Sequence, residues 1–301
     1  MTVLVTGGAG FIGRALVAKL AADGERVVVL DNLLQFRDRK PPELQADFVV
    51  GDVRDRTLVL SLLESERPET VYHLAAIHFI PACEADPAEC ISVNVAGTAT
   101  LLEACSTLTP IPTCVLASSG AVYAPSADAH RENETMAPVD VYGLSKLWME
   151  QFAALFARRS EMRVAVARLF NTYGPGETNP HFIPALLEQV HAGGTIRVGN
   201  IDTRRDYVHV TDVARALAAM ADCDETLNVG GGRAISGREV IEAVERSVGR
   251  RLDVEVDPSR VRKVDQPVLL SDSTKARELL GWRAEVVFED GIAELAAGVR
   301  V

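Results

Sequence analysis

Tyr142 and Lys146 stand four residues apart, which places both side chains on one face of a helix. A free phenol ionises near pH ~10. A neighbouring ammonium favours the phenolate, so this pair can take a proton from a hydroxyl near neutrality. The same spacing also occurs in plain surface pairs, so a third group is needed to define a site. Ser118-Ser119, closing the apolar run Thr113–Ala117, supplies a hydroxyl that can share the substrate proton. A second chemistry lies at the start of the chain. Thr6-Gly7-Gly8-Ala9-Gly10-Phe11-Ile12-Gly13 follows an apolar run and opens a helical pattern. Glycines 7, 10 and 13 allow a tight turn, backbone N–H groups close to a pyrophosphate, and close helix–strand packing. Asp31 ends the next apolar run. A carboxylate there accepts hydrogen bonds from the adenosine ribose and repels a 2′-phosphate, which selects NAD over NADP. Taken alone, Asp31-Asn32 also reads as a strand-end turn.

The elements that must position these residues alternate. Val3–Thr6, Val27–Leu30, Phe48–Val50, Val71–Leu74, Thr113–Ala117 and Val164–Leu169 are short runs rich in β-branched residues, separated by segments with apolar residues at helical spacing. Runs that are apolar throughout predict strands buried on both faces. The order predicts an α/β fold, a Rossmann-type doubly wound parallel sheet with right-handed crossovers. After about residue 171 the rhythm changes at Gly174-Pro175-Gly176 and Asn179-Pro180. The expected division is an NAD-binding domain over 1–170 and a smaller α/β substrate domain over 171–301, with segments near 205–230 returning to the main sheet.

Composition excludes other classes. With 31 Lys+Arg against 42 Asp+Glu the net charge is −11, a poor match to nucleic acid or an anionic membrane. No apolar stretch reaches the roughly 18 residues of a membrane span. A strand at the very start leaves no room for a signal peptide. Cysteines at 83, 90, 105, 114 and 223 form no C-x-x-C pair, which suits reduced thiols in a cytoplasm. The six histidines form no H-E-x-x-H pattern, so no metal site is expected.

Taken together, these residues resemble the extended short-chain dehydrogenase/reductases, in the nucleotide-sugar epimerase/dehydratase branch. The likeness runs along the whole chain and includes Gly51-Asp52-Val53, His73-Leu74-Ala75-Ala76, Asn94-Val95-x-Gly97-Thr98, Tyr142-Gly143-x-Ser145-Lys146, Arg168-x-x-Asn171-x-Tyr173-Gly174-Pro175 and Arg205-Asp206-Tyr207-Val208-His209. It implies NAD as cofactor and a nucleotide sugar as substrate. Asp52 and Val53 would contact adenine; Leu74, Ala75 and Ala76 would line the cofactor; Asn94 would hold its loop, with Phe11, Ile12, Asn32 and Ser118 also at the cofactor. Tyr142, Lys146 and Ser119 would be catalytic. Asn171, Arg205, Arg262 and Asp265 would face the substrate, the two arginines clamping its diphosphate. Without that frame Arg204-Arg205 is an ordinary solvated pair. The resemblance further implies a homodimer formed by the helices near Val141 and Ser92–Thr107.

The residues after Ser119 bear on the reaction. Dehydratases of this branch place an Asp-Glu pair there, whereas this chain has Gly120 and Ala121, which transfer no proton. The resemblance therefore implies an NDP-sugar 4-epimerase, with a UDP-hexose as substrate. The alternatives are an atypical dehydratase or 4-keto reductase of the same branch, or a cofactor-sensing protein without turnover. His181, in His181-Phe182-Ile183-Pro184-Ala185-Leu186, reads either as a substrate-binding residue or as an acid. His78 reads as a substrate-side residue or a packed loop histidine.

Overall fold

The computed structural model describes residues 1–36, 40–261 and 266–298. In chain order the strands are β1 (Thr2–Thr6), β2 (Arg26–Asp31), β3 (Asp47–Val50), β4 (Thr70–His73), β5 (Thr113–Ser119), β6 (Val164–Leu169), β7 (Asn171–Tyr173), β8 (Ile196–Val198), β9 (Arg204–His209), β10 (Thr226–Val229), β11 (Ala234–Ser236), β12 (Val254–Val256) and β13 (Val268–Leu269). The helices are α1 (Phe11–Ala22), α2 (Arg56–Glu66), α3 (Ile80–Ala85), α4 (Pro87–Ile91), α5 (Gly97–Ser106), α6 (Val141–Ser160), α7 (Phe182–Ala192), α8 (Val210–Ala219), α9 (Gly237–Val248), α10 (Thr274–Leu280) and α11 (Phe288–Ala297).

Seven parallel strands form the main sheet in the order β10-β6-β5-β4-β1-β2-β3. Alternate residues of each strand feed opposite faces. Val3, Val5, Val27, Val29, Tyr72 and Val115 pack with α1 and α8 through Leu16, Val17, Leu20, Val213 and Leu217. Leu4, Val28, Leu30, Val71 and Leu116 pack on the other side with Leu62, Leu63, Leu101, Leu102 and Met149 of α2, α5 and α6. The strand order reverses between β1 and β4. Ligands of such sheets bind at the carboxyl ends of the strands flanking that point.

Two expectations need correction. The run at Phe48–Val50 is the sheet's edge, not a strand buried on both faces; Val50 is 64% exposed. The stretch near 205–230 is also divided. Helix α8 covers the main sheet and β10 extends it. Strand β9 instead centres a separate sheet with β7, β11 and β13. Its hydrophobic neighbours Ile183, Leu186, Ile235, Val240, Val244 and Ile292 form a second core with α7, α9 and α11.

Gly13 sets the distance between α1 and the sheet. A Cβ there would lie 2.2 Å from Gly7 O and 2.7 Å from Gly8 Cα, both backbone atoms. Gly13→Ala is therefore expected to destabilise by about 1–3 kcal/mol through overpacking. A lowered denaturant midpoint at unchanged m-value checks this.

Candidate active site

A cavity of about 930 Å³ opens at the strand-order reversal, between the main sheet and the β9 unit. Its inner end is the glycine turn. Gly7 takes φ +71 and donates to Leu30 O at 2.8 Å, and a Cβ on it would sit 2.6 Å from Ala75 N. Gly10 caps α1 without any side-chain hydrogen bond, and its first turn carries no acid. The first amides of α1 thus face the cavity as a site for an anion. Phe11, Ile12 and Gly13 line it. Asp31 receives Ala9 N at 3.0 Å and Leu33 N at 2.8 Å. Burial raises its pKa, and these two amides oppose the rise. Asn32 hydrogen-bonds Asp52, whose pKa falls to about 2 chiefly because Arg54 hydrogen-bonds it. Val53, Leu74, Ala75 and Ala76 complete this end.

The loop after β4 is held by a chain of hydrogen bonds with one consistent proton order. Thr98 Oγ1 donates to Asn94 O at 2.7 Å, so it accepts from His73 Nε2 at 2.8 Å. His73 Nδ1 then accepts from Thr6 Oγ1 at 2.7 Å, and Thr6 Oγ1 accepts from Ala75 N. Burial pushes the His73 pKa down to about 3, so the ring is neutral, as this order requires. Asn94 sits in a π-helical turn, Ser92–Ala96, just before α5. Its side chain accepts from Ile77 N and donates to Ile77 O and Ser145 Oγ, at 2.8, 2.9 and 2.9 Å. Ser145 donates to Tyr142 O at 2.7 Å.

Asp140 caps α6 by accepting from Gly143 N at 2.7 Å. The first turns of that helix carry Tyr142 and Lys146 to the cavity wall. Ser119 Oγ accepts from Ala121 N at 3.1 Å, which leaves its proton for Tyr142. Burial raises the Tyr142 pKa, while the Ser119 hydrogen bond favours its ionised form. Lys146 Nζ donates to Ala117 O at 2.8 Å and lies 5.9 Å from the Tyr142 ring centre. Burial lowers its pKa to about 8, opposed by nearby Cys90, Cys83 and Glu150. One turn further along α6, Glu150 makes a buried ion pair with Arg168 at 2.7 Å. The Ser118 hydroxyl, expected at the cofactor, donates to Glu150 at 2.5 Å. Arg168 continues to Tyr123, and Tyr123 to Asn228 of β10. Sequence motifs marked Arg168 without revealing this buried partner.

At the outer end stand Asn171, His78, His181 and Arg205. Arg205 donates to Gln266 O at 2.8 Å. Its strand is fixed by Asp206, which accepts from Gly231, Gly232 and Ser271 amides at 2.6–3.1 Å. Arg262 and Asp265 lie outside the described residues. A second cavity of about 430 Å³ shares Asn171, Glu177, His181 and Arg205 with the first and adds Arg197 and Arg260. Neither arginine belongs to a motif; Arg197 lies on β8, and Arg260 follows β12, the strand paired with β8.

The glycine cradle, the uncapped α1 terminus and Asp31 fit a dinucleotide, and the same cavity is lined by Tyr142. Comparisons with known proteins agree. Residues 3–230 match the model of the NAD dependent epimerase/dehydratase family. The chain is 33% identical to a UDP-glucose 4-epimerase of Lacticaseibacillus casei, over 98% of this chain and 96% of that protein. Two solved structures superpose over nearly all of both chains. A Thermotoga maritima UDP-glucose 4-epimerase with UDP-glucose gives TM-score 0.91 at 29% identity, covering 99% of this chain and 98% of that one. A Thermus thermophilus UDP-glucose 4-epimerase complex with NAD gives TM-score 0.90 at 32%, covering 99% of each.

Lys146 generates a pH prediction. In the unfolded chain it stays charged up to its ordinary 10.5, but folded it loses its proton near 8. Between those values the folded state binds fewer protons, so this group's contribution to stability rises with pH. The slope is at most about 1.4 kcal/mol per pH unit. Lys146→Met is expected to flatten that rise, measured by chemical denaturation at stepped pH.

Proposed function

The chain belongs to the NAD dependent epimerase/dehydratase family, and on that footing we propose that it is an NAD-dependent nucleotide-sugar 4-epimerase acting on a UDP-hexose. The observation that carries this is the Tyr142–Ser119–Lys146 cluster with Gly120 and Ala121 beside it. The cluster can move a proton on and off a hydroxyl, and neither neighbour can abstract one from carbon.

NAD held along the glycine turn, Asp31, Asp52 and Leu74–Ala76 supplies a hydride acceptor that is also the donor for the return. Tyr142 Oη takes the proton of the C4 hydroxyl and returns it to the C4 oxygen when the hydride comes back to the other face, which restores the hydroxyl. Ser119 Oγ donates to that phenolic oxygen and keeps it aimed. Lys146 remains mostly protonated below about pH 8, which favours the phenolate. Asn171 and His181 line the passage from the sugar to the second cavity, where Arg197, Arg205 and Arg260 suit the diphosphate and nucleotide. Arg262 and Asp265 keep the substrate roles implied by the family motif. The UDP preference is supported by the names of the relatives.

Among the described residues no helix is long and apolar enough to cross a membrane. Five free cysteines suit a reducing cytoplasm. The proposed partner is a second copy. The apolar residues Leu101, Leu102 and Cys105 of α5 are buried against the sheet, but α6 leaves Trp148 and Phe152 37% and 40% exposed, one turn apart.

Incubation with NAD and UDP-hexoses in D₂O, followed by proton NMR, tests the reaction. Inverted C4 couplings with no deuterium at carbon are expected; deuterium at C5 would overturn the epimerase in favour of a dehydratase. Tyr142→Phe should lower turnover about 10²–10⁴-fold while NAD stays bound. For the oligomer, light scattering should give a dimer that Trp148→Glu converts to a monomer.

A further inference from the structure

We propose that His78, Glu177 and His181 form a binding site for a zinc-type divalent cation across the mouth of the cleft. Among the described residues, one ligand atom from each lies within 4.8 Å of the other two. His78 follows β4, on the main-sheet side of the cleft. Glu177 and His181 lie between β7 and α7, on the side of the second core. The two imidazoles stack nearly parallel, with centres 5.9 Å apart and planes 4° apart.

The ring nitrogen of His78 already acts as an acceptor. Asn179 Nδ2, an amide donor, lies 2.9 Å from His78 Nε2, so the Nε2 lone pair points toward the 177–181 segment. A cation takes that same lone pair in place of the amide. The Glu177 carboxylate is set by Thr178 N and Asn179 N at 2.8 and 2.9 Å on Oε1. A carboxylate has about four lone-pair sites, so it retains capacity for a metal. Two imidazole nitrogens and one carboxylate oxygen are a borderline donor set that suits zinc, with one position left open toward the cavity. Ligand atoms of a tetrahedral zinc site sit about 3.4 Å apart. The donor atoms, up to 4.8 Å apart, must close by as much as about 1.4 Å on binding, and His78 is an exposed side chain of the cavity wall.

The bound ion would tie the two walls of the cleft together at the junction of its cavities. Glu177 and His181 line both of them, so the ion stands in the path of a long ligand entering there. The donor geometry is the same whichever sugar the enzyme turns over.

The experiment is calorimetric titration of tag-free, NAD-loaded protein with Zn²⁺ alone, paired with Co²⁺ absorption. One ion per chain is expected, with affinity reduced at least tenfold in His78→Ala and in Glu177→Gln. Co²⁺ should give the intense visible bands of a tetrahedral site in the unaltered protein. Circular dichroism and NAD content establish that each variant is folded. Absence of saturable binding, or binding unchanged in both variants, would overturn the proposal. So would a Co²⁺ spectrum without tetrahedral bands, a reading that needs no variant.

Discussion

A neutral imidazole at the carboxyl end of β4 sets the geometry of the cleft. His73 accepts from β1 through Thr6 and donates toward the π-helical turn through Thr98. Asn94 passes the constraint to the loop after β4 and, through Ser145, to the carbonyl of Tyr142. The glycine turn and α6 are thereby registered to one buried ring. The arrangement works only while that ring is uncharged. A proton on Nδ1 would leave the Thr6 hydroxyl facing a donor, and a charge there would be buried without a carboxylate beside it. Burial keeps the ring neutral, holding its pKa near 3. The low dielectric that makes the network strong also makes any missing member costly.

Much of this was legible in the sequence. The glycine turn announces itself because its residues are contiguous and a Cβ at Gly7 or Gly13 would lie only 2.2–2.6 Å from neighbouring backbone atoms. The sheet announces itself because interior strands must be apolar on both faces. Tyr142 and Lys146 are readable because one helical turn separates them. The same logic explains one failure. Phe48–Val50 has an apolar composition like the interior strands, yet strand order places it at an edge. Composition records what a strand tolerates on its faces, not how many neighbours it has.

What remained hidden is what tertiary packing assembles from distant positions. Glu150 pairs with Arg168 across a helix and a strand, and no local spacing predicts that. Arg197, Arg260 and Gln266 reach the cavities from three separate segments. The His78–Glu177–His181 group violates the short-range patterns by which metal ligands are read, because its donors come from opposite walls. Ser118 lines the cavity at the end of its strand, and the charged acceptor that Glu150 offers its hydroxyl is likewise not visible in any local spacing.

The return of α8 and β10 to the main sheet limits how this protein can be recombined. Val213, Leu217, Leu227 and Val229 belong to the same core as Val5 and Leu16. Asn228 also closes the polar chain that begins at Glu150. A fragment ending at residue 170 would therefore expose an apolar flank and strip Tyr123 of its acceptor. A chimera that grafts a new substrate side onto this cofactor half has no single junction. It needs an insertion between β7 and α8 and another after β10, with the 210–230 segment inherited from the host.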